Sequence, residues 1–397
     1  LHMKGLKIMQ RESMDSKRNK SKVIIRYYYD RVSRDVGNFF KWIALAVLTG
    51  LVVGGASSIF AGCIKWVTEY RNNNIWVFML LPIVGVAIVF MYQIIDPHDG
   101  GTNQVLSTIR SRGDVPLKAA PLIFVSTLLT HLTGGSAGRE GASIQFGGSI
   151  GNWLGKLVKL DEFDHHVMIM CGMSAAFAAV FGTPMAAAVF AMEVVSVGVM
   201  YYAALLPCVV ASIIAAEFAT GMGIDPETFS VTRIPALTVE TGFKMAIISV
   251  GCAMVSIMFC IALKFVAKIY GKYLKNLYVR VFVAGCVVIA ITMILNTKDY
   301  MGAGNELIAR AIETGQARPL DFLWKMILTA VTMRAGYRGG EIVPAFSVGA
   351  TFGCVAGQLL GFQPELAAAA GMVALFCGVT NCPITSMLIS FELFGFS

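Results

Sequence analysis

The sequence predicts an all-α polytopic membrane protein. Of its 397 residues, 56% are hydrophobic and only 14% are charged, whereas a soluble domain carries about 25% charged residues. Its mean hydropathy is +0.69. Residues 42–60 and 75–95 form nearly uncharged runs that are long enough to cross a bilayer as helices. Only α-helices and closed β-barrels can span a bilayer, because both satisfy their backbone polar groups internally. These runs lack the regular polar alternation of barrel strands, so we expect helices.

The N-terminal residues 1–41 form a basic arm, which holds 11 of the 32 Lys and Arg residues and four acids. The positive-inside rule predicts that this arm, and with it the N-terminus, is cytoplasmic. The apolar run that follows is too long for a cleaved signal peptide. No nucleic-acid motif accompanies the arm, so we expect membrane lipid and no nucleic acid among the partners.

The nine cysteines lie mostly in apolar stretches and show no zinc-like spacing. This pattern indicates reduced, buried side chains that pack as small apolar groups. We therefore expect no metal site and no cofactor.

The second half of the chain repeats part of the first half. Two repeats of about half a chain are typical of transporters, whose binding sites lie at the repeat interface and are formed by broken helices. Parallel and inverted repeats are both compatible with the matches. At an offset of 199, the matching pairs are Gly172 and Gly371, Met173 and Met372, Ala175 and Ala374, Phe177 and Phe376, Pro184 and Pro383, Glu193 and Glu392, and Arg139 and Arg338; at an offset of 202, Asn103 matches Asn305.

The repeats suggest a division of the chain into four parts. The basic arm, 1–41, precedes a first membrane repeat at 42–221. A polar connection at 222–239, which contains Asp225-Pro226-Glu227, separates it from a second membrane repeat at 240–397.

Three Gly-rich breaks interrupt the apolar segments, at 100–105, 134–141 and 336–344. A break of this kind lets backbone N–H groups converge at a helix start, where the dipole favours an anion. Ionised side chains at membrane depth are costly and usually belong to a pathway or a pair. The second break contains Arg139 and Glu140, and the third contains Arg338 and Glu341. Together they predict an anion site with acids in it.

The segment Gly138-Arg139-Glu140-Gly141 resembles the Gly-Arg-Glu-Gly helix start of the CLC family of anion channels and proton-coupled anion exchangers. The Pro-to-Glu units of the two repeats are also similar to those of that family. The resemblance implies two inverted-topology repeats with broken helices, a homodimer, and one anion pathway in each subunit. It assigns the gating role to Glu140.

Three differences from chloride-type members resemble the fluoride/proton antiporter branch of the family. The first break reads Gly101-Thr102-Asn103, where chloride-type members carry Gly-Ser-Gly-Ile-Pro. The third break contains Glu341, and Val194 stands where chloride exchangers carry the acid of an internal proton relay. Val343 departs from the branch, in which Thr is common at that position. The branch also uses a Tyr on a final helix, and the chain ends at Ser397 before such a helix.

The resemblance therefore implies a proton-coupled antiporter that exports fluoride in exchange for protons through a bacterial inner membrane. A chloride/proton exchanger and a passive anion channel are the alternatives. An enzyme using Ser136 and His131 is disfavoured because no nucleophile elbow is present. Glu193 and Glu392, at matching places in the repeats, favour a structural capping or pairing role. The expected gating and proton-transfer residues are Glu140 and Glu341, and the expected anion-binding residues are Thr102, Asn103, Gly138, Arg139, Gly141, Gly340, Ile342 and Val343.

Overall fold

A computed structural model describes residues 2–110, 113–196, 198–231, 235–236 and 238–395, with side chains described for residue 29 and from residue 31 onward. Within these residues every named element is helical, as predicted from composition. Seven helical segments are long and apolar enough to cross a membrane. By internal contacts the chain divides into residues 1–45 and residues 46–397.

Within its described residues, the first half of the chain forms eight α-helices. Several are short, because Gly and Pro interrupt the apolar segments. Side chains cap some of the helix starts; the Asp161 carboxylate, for example, accepts the N–H of Asp164 at 2.9 Å. The helices are α1 (His2–Asn73), α2 (Leu81–Ile95), α3 (Thr102–Arg110), α4 (Ala119–Leu132), α5 (Glu140–Leu157), α6 (Glu162–Phe181), α7 (Pro184–Glu193) and α8 (Leu205–Gly221).

In the part of the second half that the structure describes, seven α-helices follow the connection at 222–239. A capping box between Thr238 and Thr241 starts the first of them, and the Asn276 side chain caps the second. The helices are α9 (Val239–Tyr273), α10 (Leu277–Leu295), α11 (Asn305–Glu313), α12 (Asp321–Ala335), α13 (Ile342–Leu359), α14 (Pro364–Thr380) and α15 (Pro383–Phe394).

The helices confirm the internal repeat and correct its register. Helices α4, α5 and α6 start 202 residues before α12, α13 and α14, whereas α7 starts 199 residues before α15. The change arises because α14 has 17 residues and α6 has 20. The predicted match of Arg139 with Arg338 is therefore wrong. The N-cap residue of α5 is Arg139, and its counterpart at the start of α13 is Glu341.

Glycine allows the equivalent helix pairs to pack at very short distance. A Cβ on Gly172 of α6 would lie 2.2 Å from the carbonyl oxygen of Gly147 in α5, and a Cβ on Gly371 of α14 would lie 2.4 Å from that of Gly349 in α13. Close backbone approach of this kind is typical of helix packing in membranes. These contacts hold α5 against α6 and α13 against α14, and they thereby fix where α5 and α13 begin.

Candidate functional site

The second and third Gly-rich breaks pair with each other. Gly138 and Gly340 exchange two backbone hydrogen bonds of 2.7 Å, one in each direction. A Cβ on Gly340 would lie 2.5 Å from the amide nitrogen of Gly141, so the contact requires glycine. Helix α5 begins at Glu140 and α13 begins at Ile342. The pairing therefore brings the N-termini of one helix from each repeat side by side.

The Glu140 carboxyl group is buried at the start of α13. Its side chain is fully buried, and Oε2 accepts the N–H of Val343 at 3.4 Å. Oε1 has no hydrogen-bond partner in the described part of the chain. Gly138 makes room for this group, because a Cβ there would lie 2.2 Å from Oε2. A carboxylate at a helix N-terminus occupies a position where a free anion is also stabilised.

Two cavities adjoin the paired turns and share no lining residue. The first, which we call the Glu341 vestibule, has a volume of about 400 Å³ and is lined by Thr102, Asn103, Gly141, Gly340, Glu341 and Ile342, among others. The second, the Arg139 vestibule, has a volume of about 470 Å³ and is lined by His131, Arg139, Glu227 and Asn305, among others. Glu140 lines neither cavity, and its chain neighbours Arg139 and Gly141 line one each. A buried carboxyl group thus separates two water-accessible spaces.

Glu341 points into its vestibule and pairs with Arg334. The Oε2 atom of Glu341 lies 3.2 Å from Nη2 of Arg334, and both side chains are more than a third exposed. Among the described residues no hydrogen bond joins the carboxyl groups of Glu341 and Glu140. The two predicted acids therefore differ in environment, since one is buried and the other is paired and accessible to water.

The first break supplies the wall of the Glu341 vestibule. Gly101 takes a left-handed conformation with φ of 65°, and α3 starts at the next residue. The hydroxyl of Thr102 donates to the carbonyl oxygen of Gly141 at 2.9 Å, which ties α3 to the start of α5. Asn103 is exposed to the vestibule, and Val194 also lines it.

Arg139 is a predicted site residue that the structure places at the other cavity, the Arg139 vestibule. Its Nη2 atom donates to Glu227 Oε1 at 2.5 Å and to the carbonyl oxygen of Val180 at 3.3 Å. Glu227 lies in the connection between the repeats. Sequence reasoning placed it only in a polar loop, because nothing local indicates its contact with an arginine 88 positions away.

Lys325 is a buried lysine that sequence reasoning also missed. Its side chain is fully buried in α12, and Nζ donates to Ser136 Oγ at 3.1 Å, to Tyr300 O at 3.1 Å and to Gly302 O at 2.6 Å. Three acceptors match the three N–H donors of an ammonium group. The sequence feature that could have indicated it is a single lysine within the otherwise apolar run 322–328.

The third-break arginine, Arg338, has a structural set of partners. Its Nη1 atom lies 3.0 Å from Asp99 Oδ2, and its guanidinium stacks 3.8 Å from the centre of the Tyr92 ring. Gln145 donates to the other oxygen of Asp99 at 2.7 Å. These contacts fix the loop before α3 against α2, α5 and the third break.

His131 and the two repeat glutamates also have structural contacts. The Nε2 atom of His131 lies 3.3 Å from the carbonyl oxygen of Gly138. Glu193 accepts the N–H groups of Ile384 and Thr385 at the start of α15. Glu392 accepts those of Met185 and Ala186 at the start of α7, at 2.8 Å each. Each glutamate thus caps the helix that is its own helix's counterpart in the other repeat.

Comparison with protein families decides what kind of protein carries these features. A family model described as "Voltage gated chloride channel" matches residues 84–397. The chain belongs to this family. A "Chloride/fluoride channel protein" of Pseudomonas syringae pv. tomato is 33% identical over 365 residues, which cover 89% of this chain and 80% of that protein. The "H(+)/Cl(-) exchange transporter ClcA" of Vibrio cholerae is 22% identical, with 89% of this chain and 82% of the relative covered.

Solved structures agree with the family assignment. A "CLC-type fluoride/proton antiporter" aligns with a TM-score of 0.87 and 30% identity, covering 90% of this chain and 91% of that chain. A "slow cyanobacterial Cl-/H+ antiporter" aligns with a TM-score of 0.74 at 19% identity, with 89% of each chain covered. The predicted fold, an all-helical CLC-type membrane protein of two inverted repeats with broken helices, is confirmed. The chain is a member of a transport family and not an enzyme.

Proposed function

We propose that the protein is an antiporter that exports fluoride in exchange for protons. The observation that carries this proposal is the position of the Glu140 carboxyl group. It is buried between two vestibules and accepts an N–H group from the start of a helix of the opposite repeat. A carboxylate there competes with an anion for the same donors, and a protonated carboxyl group gives the donors up. One group therefore links anion movement to proton movement.

The second acid favours fluoride over chloride. Fluoride is small, strongly hydrated and a strong hydrogen-bond acceptor, and its conjugate acid is weak. Protonated Glu341, at the N-cap of α13, would offer a short O–H donor to such an anion, whereas chloride gains less from it. The relatives named as a chloride/fluoride channel protein and as a fluoride/proton antiporter, at 33% and 30% identity, support the same choice.

In the proposed pathway, Glu140 is the gate and proton carrier, and Glu341 is a second acid. The backbone at the paired turns supplies N–H donors to the anion, and the first break supplies a hydroxyl and an amide from its side chains. The proposed anion-binding residues are Thr102, Asn103, Gly138, Arg139, Gly141, Gly340, Ile342 and Val343.

Liposomes loaded with fluoride test the coupling. We expect fluoride efflux by the wild-type protein to drive proton uptake in a fixed ratio, measured with a fluoride electrode and a pH electrode in the same sample. In Glu140→Gln, which keeps the shape but loses the titratable proton, fluoride efflux should continue or slow while proton uptake disappears. If Glu140→Gln still couples the two ions, the gating assignment is wrong.

The same liposomes separate the alternatives. Fluoride efflux without proton uptake by the wild-type protein would indicate a passive anion channel. Equal coupled rates with chloride and fluoride would indicate an exchanger that does not select fluoride. Glu365→Gln is the matched control, because Glu365 lies at the start of α14 and lines neither vestibule. We expect the coupling ratio of this variant to equal that of the wild type.

A further inference from the structure

The Glu227 carboxylate is held in the Arg139 vestibule by donors from both repeats. A single oxygen, Oε1, accepts from Nη2 of Arg139 at 2.5 Å and from Nδ2 of Asn305 at 3.0 Å. Arg139 is the N-cap residue of α5, and Asn305 is the first residue of α11. The two donors therefore come from the starts of α5 and α11, one in each repeat. The acceptor comes from the connection between the repeats.

Asn305 is the repeat counterpart of a residue at the other vestibule. Asn103 and Asn305 are separated by 202 residues, the offset that relates α5 to α13. Asn103 lies in the first turn of α3 and lines the Glu341 vestibule, whereas Asn305 starts α11 and lines the Arg139 vestibule. The inverted repeats thus place equivalent asparagines, Asn103 and Asn305, at different vestibules. Of these two asparagines, Asn305 is the one whose amide donates to a carboxylate within the described part of the chain.

A buried lysine lies behind the turn that starts α11. A Cβ on Gly304, the N-cap residue of α11, would lie 2.9 Å from Cε of Lys325. The three acceptors of Lys325 are a hydroxyl and two carbonyl oxygens, so none of its direct partners carries a negative charge. Lys325 therefore packs behind the start of α11 and, among the described residues, makes no hydrogen bond to Glu227.

The rest of the vestibule does not explain why a carboxylate binds at this point. Besides Arg139 and Glu227, its lining contains three basic and four acidic side chains, so its net charge is not positive. The attraction therefore comes from the local donors, Arg139 and Asn305. The other charged lining residues are Lys65, Arg71 and Lys298 and the acids Glu69, Asp225, Asp299 and Glu306.

We propose that Arg139 and Asn305 form a second anion-binding site, at the Arg139 vestibule, and that the Glu227 carboxylate is a tethered occupant of it. A small inorganic anion takes the place of Glu227 Oε1 and receives the same two hydrogen bonds. This inference rests on the proposed function for its anion, fluoride. It adds a resting position between the buried Glu140 and the open vestibule, where Glu227 competes with the transported ion and limits how long the ion stays.

Equilibrium binding tests the site without relying on transport. Sodium fluoride is titrated into the purified protein in detergent by isothermal titration calorimetry. Glu227→Ala vacates the site, so the ion no longer competes with a tethered carboxylate. We therefore expect this variant to bind fluoride about tenfold more tightly than the wild type, or to show a binding event that the wild type lacks. Adding Asn305→Ala to this variant removes one donor, and we expect the gain to disappear.

Two further variants keep the test decisive. Glu227→Gln keeps the length of the side chain and removes only the charge, so it should show the same direction of change even if Glu227→Ala folds poorly. Asp225→Asn removes a carboxylate from the same vestibule two residues away, and we expect wild-type binding. Identical isotherms for the wild type, Glu227→Ala and Glu227→Gln with both sodium fluoride and sodium chloride would overturn the site, as would an equal gain in Asp225→Asn.

The proposed function fails separately from this inference. Fluoride efflux without proton uptake by the wild-type protein in the liposome assay would refute the proposed function. A chloride titration of the same variants distinguishes a site for small anions in general from a site that prefers fluoride. If the vacated site binds chloride alone, the site stands and fluoride as its ligand is refuted.

Discussion

The ion pair between Glu341 and Arg334 shows how one arginine can matter for transport more than for stability. Their atoms lie 3.2 Å apart, and both side chains are more than a third exposed. An exposed pair of this kind contributes about 0–1 kcal/mol to folding, because water screens the charges. The carboxylate nevertheless stands in the proposed anion pathway, where its charge repels an arriving anion unless a partner neutralises it.

We therefore expect Arg334→Gln to slow fluoride efflux about fivefold with little loss of stability, since the unpaired Glu341 repels the anion. Efflux is measured in liposomes and stability by thermal unfolding in detergent. Adding Glu341→Gln should restore much of the rate, because the repelling charge is then gone as well. Arg318→Gln is the control, since Arg318 is exposed and lines a different cavity. An efflux rate for Arg334→Gln equal to the wild-type rate would contradict this account.

At the scale of helices, the position of the site depends on how closely α5 packs on α6 and α13 on α14. In the glycine pairs Gly147 with Gly172 and Gly349 with Gly371, a Cβ on either member would lie within 2.4 Å of its partner's carbonyl oxygen, so no larger residue fits. The site elements α5 and α13 cannot move outward without losing these contacts. The glycines thus fix the two helix starts that meet at Gly138 and Gly340.

Replacing Gly172 by Ala should lower the unfolding temperature, because a methyl group there overlaps the carbonyl oxygen of Gly147 and overpacking typically costs about 1–3 kcal/mol. Gly271→Ala in α9 is the matched control, since a Cβ at that position meets no atom within 4 Å. Alanine also has the higher helix propensity, so we expect the control to unfold at the wild-type temperature or above. Equal stability of the two variants would show that α5 and α6 can separate at no cost.

At the scale of the whole molecule, composition and the three breaks were enough to predict the helical fold, the repeat and the pairing of acids with helix starts. Contacts between distant segments were not predictable. Glu227 reaches Arg139 across 88 positions. The matches at offsets of 199 and 202 did not show where the register changes, which is between α6 with 20 residues and α14 with 17. Both depend on tertiary packing, whereas hydrophobic periodicity and turn residues report only local structure.

The two repeats are also joined by reciprocal caps. Glu193, near the end of α7, accepts two N–H groups at the start of α15, and Glu392, near the end of α15, accepts two at the start of α7. Each carboxylate satisfies donors that a helix start leaves unpaired, and each favours the positive end of the helix dipole. The expected capping role of these glutamates agrees with this geometry. The caps cross between repeats, so they stabilise the assembly of the two halves.

Glu193→Gln and Glu392→Gln should each lower the free energy of unfolding by about 1–2 kcal/mol. Each carboxylate accepts with both of its oxygens, whereas an amide keeps only one acceptor and lacks the negative charge that favours the helix start. Thermal unfolding of the purified protein gives the ranking, with Glu217→Gln on the exposed face of α8 as the control. Glu193 is the more deeply buried of the two and also accepts the Thr385 hydroxyl at 2.7 Å, so its variant should be the less stable. The charges cap two different helices, and the double variant should therefore lose about the sum of the single losses. A double variant as stable as either single variant would mean that one cap already fails without the other, and that the two repeats meet through a single cooperative contact.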